Sequence, residues 1–195
     1  MKTASQLRRT NIAQYLLYMW QVEDLIRAYS LDIERIRKAI IDPVPDLSPD
    51  DAKAITEWYE SLIDMMRRED VVKSGHLQIN RNTLGDLVAL HRRILAEATR
   101  FPEYAAEFYR TLPYIVELRA RSGENPPGEI EACFNALYGR LILRLRHADE
   151  SPETAAAIDQ ITRFITALAR DYHLDEQDRL FVDPDKPAAA PGKPV

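Results

Sequence analysis

Apolar positions recur along this chain at helical spacing, most densely in YLLYMWQVEDLIRAY, residues 15–29. At about 100° per residue, Ile12, Tyr15, Tyr18, Met19, Val22, Leu25, Ile26 and Tyr29 form one wide apolar face. Leu16, Leu17 and Trp20 take much of the remaining side. The pattern predicts a first helix from about Ser5 to Tyr29, with its N-terminal half enclosed by other helices. A short second helix after Ser30 carries Ile33, Ile36 and Ile40 and stops before the Pro43–Pro45 turn.

The third helix has the clearest start. In SPDD (48–51), Ser48 is placed to cap, Pro49 suits the first helical position and Asp51 completes an acidic first turn. Its apolar face is Ile55, Trp58, Tyr59, Leu62, Met65 and Met66, and Gly75 is its expected end. A fourth helix covers roughly 80–99, and a fifth runs from Pro102 to about Arg121. Pro113 inside the fifth is expected to kink or split it, because it removes a backbone donor. A sixth follows the NPPG loop over about 129–147, and SPET (151–154) opens a seventh over about 152–173. No stretch alternates long enough for a sheet. The expected fold is all-α: a single-domain bundle of six or seven mostly antiparallel helices, with the first near the centre. The domain is drawn at 1–175, and 176–195 reads as an acidic, then Pro/Ala-rich, flexible tail.

Composition narrows the class. The chain has 195 residues, 46% hydrophobic and 29% charged, enough for a real core and too apolar for disorder. The uncharged run Asn11–Val22 is shorter than the ~20 residues of a membrane span, so no membrane association and a cytoplasmic location are expected. One cysteine, Cys133, excludes an intrachain disulfide. The four histidines show no ligand spacing, and no phosphate-binding glycine loop or nucleophile elbow is present, so no metal, cofactor or catalytic residue is assigned. A net charge of −5 disfavours nucleic acid as a partner.

NIAQYLLYMWQVEDLIRAY, WYESLIDMM and above all GHLQIN (75–80) resemble an uncharacterised bacterial family, the domain of unknown function 4924. The resemblance covers most of 1–175. It implies an all-helical cytoplasmic protein and carries no activity to transfer.

Candidate chemistry therefore comes from the residues alone. Arg27 follows Glu23 by four positions and Asp24 by three, so one guanidinium reaches both carboxylates of the helix, with Trp20 on the same side. This set reads either as surface ion pairs or as a partly buried polar pocket in which Arg27 holds both acids. His76 and Gln78 of GHLQIN read as loop-fixing side chains or as a binding loop. His91, in the middle of an apolar face, is expected to be buried against a carboxylate or carbonyl of another helix. Arg140, Arg144 and His147 form a basic stripe that suits a helix C-terminus, an anion, or pairing with Glu23 and Asp24. The candidate ligand-binding set is Trp20, Glu23, Asp24, Arg27, His76, Gln78 and Arg144. The function expected first is a non-enzymatic interaction or regulatory module with a protein partner or self-association. The alternative is a small-molecule-binding protein, an enzyme included, with a polar pocket near helix one and GHLQIN.

Overall fold

In a computed structural model, which describes residues 2–182 except 148, the chain is all-α. The helices are α1 (Lys2–Thr10), α2 (Ile12–Ala28), α3 (Ile33–Ile36), α4 (Pro49–Arg68), α5 (Gln78–Ala96), α6 (Pro102–Ala120), α7 (Glu129–Leu145) and α8 (Pro152–Glu176). A π-helical turn, Arg37–Ile41, continues α3. The family of elements is the expected one, with one helix more than expected. The extra one comes from Asn11, whose extended backbone (φ −158°) breaks the long first helix while its side chain caps α2 by accepting from Gln14 N at 3.0 Å. A single cap residue inside an unbroken apolar pattern leaves no gap for periodicity to detect.

The serine–proline starts behave as expected. Ser48 accepts from Asp51 N at 3.1 Å and Ser151 from Thr154 N at 3.2 Å, with proline in the first turn of α4 and α8. One expectation fails and another is narrowed. Helix α4 ends at Arg68, well before Gly75, which sits in the following connection at φ +86°. A Cβ there would meet only Val71 Cγ1 at an ordinary 3.6 Å, so that backbone conformation favours glycine, and space does not demand it. Pro113 does not split α6, which is helical without interruption from Pro102 to Ala120. The carbonyl that loses its partner belongs to Tyr109, a residue 61% exposed and so within reach of water.

Helix α2 is central, as expected, packing against α1, α4, α5, α7 and α8. Its buried set, Ile12, Tyr15, Leu16, Met19, Trp20, Val22, Glu23 and Ile26, covers about half of the helix circumference, with Gln14 and Asp24 exposed on the other side. It stops in two consecutive left-handed residues, Ser30 and Leu31, both at φ 57°, while Leu31 N reaches back to Ile26 O at 3.0 Å. Burial of Leu31 offsets the cost of that conformation. Beyond α8 the chain still packs: the Phe181 ring lies 5.3 Å from Phe101 and under the Arg93 guanidinium at 4.4 Å. The rest of the expected tail, from Asp183 on, lies outside the described residues. No helix among the described residues is long and apolar enough to cross a membrane.

Candidate functional site

Trp20, Glu23, Asp24 and Arg27 stand at i, i+3, i+4 and i+7 on α2, on the side that meets the start of α5 and the middle of α7. Glu23 is fully buried. One of its oxygens accepts from Leu77 N at 2.8 Å and from Asn80 Nδ2 at 2.6 Å, and the other meets His76 Nδ1 at 2.6 Å. A carboxylate only accepts, so Nδ1 of His76 carries the proton, and the ring is partly exposed.

Leu77 occupies the N-cap position of α5 and has no side chain able to cap. Two acids from elsewhere do the work instead. Glu23 takes Leu77 N, and Glu69 takes Gln78 N at 2.6 Å. Negative charge at that end is also favoured by the helix dipole. Three donors and a helix N-terminus make a buried carboxylate tolerable here.

The sequence reading of Arg27 is half corrected. Its Nη1 binds Asp24 Oδ1 at 2.8 Å, but Nη2 binds Val71 O at 3.0 Å and Gly75 O, and Glu23 is held by the α5 start instead. The guanidinium thus fastens the α4–α5 connection to α2. Trp20 stacks on His76, not on Arg27, with centroids 4.2 Å apart and planes 13° from parallel. Phe134 and Tyr138 of α7 meet the same indole edge-on at 6.1 and 5.7 Å. The Tyr138 hydroxyl donates to Asp24 Oδ2 at 2.6 Å. Burial, and then that bond to a carboxylate, push the phenol's pKa upward, so it stays protonated.

Two candidates fall outside. Gln78 is exposed and turned along α5, donating to Asn82 Oδ1 at 2.6 Å and accepting from Arg81 Nη2 at 2.8 Å. Arg144 is exposed near the end of α7, while Arg140 of the same stripe pairs with Glu150 at 3.1 Å and Asp159 at 2.8 Å. The basic stripe therefore does not reach Glu23 or Asp24. Asn80 and Tyr138 were missed. Asn80 is the last letter of GHLQIN and carried a signal; Tyr138 lies 114 positions from Asp24 and carried none.

The cluster is dense in hydrogen bonds, yet three of its buried polar atoms, Trp20 Nε1, Arg27 Nε and Asn80 Oδ1, lack a partner. A groove of about 740 Å³ between α6 and α8 shares no residue with it. Among the described residues no group of three or more His, Cys, Asp or Glu is placed to hold a metal ion.

A second buried histidine sits deeper in the bundle. His91 Nδ1 pairs with the Tyr104 hydroxyl at 2.7 Å, and its ring lies 4.8 Å from Phe108 and 5.7 Å from Phe164. Its partner is thus a phenol, in place of the carboxylate or carbonyl expected from the sequence. Glu129 Oε2 stops 3.7 Å from Nε2, which remains unpartnered. Burial dominates and lowers the His91 pKa, so the ring is neutral. Cys133 is fully buried, and burial pushes its thiol up to about 12, which leaves it inert.

On the outside, α6 presents a different surface. Tyr109 and Val116 are 61% and 56% exposed, Pro113 lies between them, and the opposite side of the helix buries Tyr104, Phe108, Thr111 and Ile115.

The chain belongs to the family described as Domain of unknown function (DUF4924), whose profile matches residues 1–179. No curated protein and no solved structure matches it.

Proposed function

We propose that this protein is a non-enzymatic, cytoplasmic interaction module that binds another protein through the outer face of α6. The observation that carries the reading is the exposed stripe Tyr109, Pro113 and Val116, an apolar strip on the outside of a helix whose inside is fully engaged. The polar cluster of α2 supports the same reading from the other side. Glu23 is sealed from solvent and spends its oxygens on the start of α5, and both Nη atoms of Arg27 are spent on backbone carbonyls and Asp24. Such groups hold a fold together and are not free for a substrate.

A second reading has one observation in its favour. Trp20 Nε1 and Asn80 Oδ1, both buried and unpartnered, suit a small polar ligand beside the His76 ring. Native mass spectrometry of the protein purified from its own cells separates the two. The expected result is a bound protein chain that the Tyr109→Glu/Val116→Glu double variant loses. A retained small molecule at one per chain, with no protein bound, overturns the interaction module.

A further inference from the structure

Resting on that reading, we infer that the partner on this face is a second copy of the same chain, docked antiparallel, α6 against α6, about a two-fold axis near Leu112 and Pro113. The argument begins with spacing. Tyr109, Leu112, Pro113 and Val116 stand at i, i+3, i+4 and i+7, one narrow stripe along the helix. The stripe is centred between Leu112 and Pro113. An antiparallel pair about that centre sets Tyr109 opposite Val116 of the second copy, and Leu112 opposite Pro113 of the second copy, each contact occurring twice.

The charges beside the stripe obey the same symmetry. Arg110 and Glu117 are seven residues apart and therefore lie on one flank of α6. A two-fold axis perpendicular to both helices brings each flank onto its own copy. Arg110 then faces Glu117 of the second copy, and Glu117 faces Arg110 of the second copy. Both side chains are free to do so, at 60% and 56% exposed. Their present partners, Glu107 on α6 and Arg121 just past its end, are three and four positions away, and such surface pairs are readily exchanged. A sequence with like charges at positions 110 and 117 would be repelled by this geometry; opposite charges are drawn into it.

Pro113 fits the centre for a separate reason. Its ring is short and lets two helix backbones approach. The contact is isologous, so it closes at a dimer and offers no surface for a growing filament. One helix pair buries less than the roughly 1,200–2,000 Å² of a standard interface, so the dimer is expected to be weak, with Kd in the micromolar range.

Sedimentation velocity over the micromolar to millimolar range tests this with the full chain. The wild type is expected to show a monomer–dimer equilibrium. Arg110→Glu alone and Glu117→Arg alone each place like charges face to face, and each should weaken the dimer by about ten-fold or more. The double reversal Arg110→Glu/Glu117→Arg restores opposite charges across the axis and should recover most of the affinity. Circular dichroism and Tm check that every variant folds, as expected for changes confined to an exposed face. A double reversal as weak as the single ones overturns the proposed geometry, and so does a wild type that stays monomeric throughout. In that last case the interaction module itself survives only if the Tyr109→Glu/Val116→Glu variant sheds some other protein in the native-source measurement. If nothing is bound there, both readings fall.

Discussion

His76 and His91 are both tied to acidic or phenolic partners across helices, but the arrangement of burial is reversed between them. At the α2–α5 junction the carboxylate is inside and the histidine is at the rim: Glu23 is 0% exposed and the His76 side chain 32%. In the core between α5, α6 and α8 the histidine is inside and the carboxylate is at the rim: His91 is 4% exposed and Glu129 39%. The difference follows from hydrogen-bond supply. Glu23 receives three donors and a helix N-terminus, so it is stable without water. His91 has three aromatic rings around it, one of them the Tyr104 phenol it bonds, which suits a neutral ring and would not suit a cation. One region is built around a buried acid, the other around a buried neutral base.

The most severe way to break the first region is Glu23→Ala. It strands Leu77 N, Asn80 Nδ2 and the His76 proton together, and unfolding free energy should drop by about 3–5 kcal/mol in chemical denaturation. A loss under about 1 kcal/mol would show that water reaches the carboxylate and that the junction is not sealed. Arg27→Met should cost less, about 1.5–3 kcal/mol, because Glu23 does not depend on it and Asp24 is half exposed and keeps Tyr138. A loss as large as that of Glu23→Ala would restore the expectation that Arg27 holds both acids.

For the second region, His91→Leu should change stability by only about 1 kcal/mol at pH 7.5, trading the Tyr104 bond for removal of the orphaned Nε2. The pH dependence is sharper. The folded His91 pKa lies below its unfolded value of about 6.5, so below that pH the unfolded chain binds a proton that the folded one refuses. Stability from this group is complete above pH 6.5 and is lost as pH falls toward the depressed pKa. Tm measured at pH 7.5 and pH 5 should fall less in His91→Leu than in the wild type; an equal fall would mean that Glu129 closes on a protonated ring. The smallest effect belongs to Tyr138→Phe, about 0.5–1 kcal/mol, since water replaces the hydroxyl at the exposed side of Asp24.

Much of this architecture was readable along the chain because its signals are local. The caps at Ser48 and Ser151, the apolar face of α4, and the mixed character of α2 each depend on residues within two turns of one another. The partner of Glu23 was not readable in the same way. From α2 alone, Arg27 was the obvious match at i+4; the actual donors arrive 53 to 57 residues later, by a packing register that helical periodicity does not encode. The same holds for Tyr138. Trp20 was correctly placed on the cluster's side, but its stacking partner had to come from another helix. Arg144 and Gln78 lie outside the cluster for a complementary reason: one was picked from a basic stripe and the other from its place in GHLQIN, and neither charge nor sequence proximity says which way a side chain turns in a bundle.

Glu23 also bears on the order in which the chain folds. As an isolated peptide, α5 would begin with Leu77, which offers its own first turn no acceptor, so that turn should fray. Its first amide is satisfied only once α2 lies alongside, closing a loop that contains α3, the π-helical turn and all of α4. Bringing α2 and α5 together across so long a loop costs closure entropy that the middle of α5 does not have to meet in order to form. The start of α5 should therefore gain hydrogen-exchange protection after its middle does, when α2 and α5 come together, and pulse labelling during refolding would record that delay at Leu77.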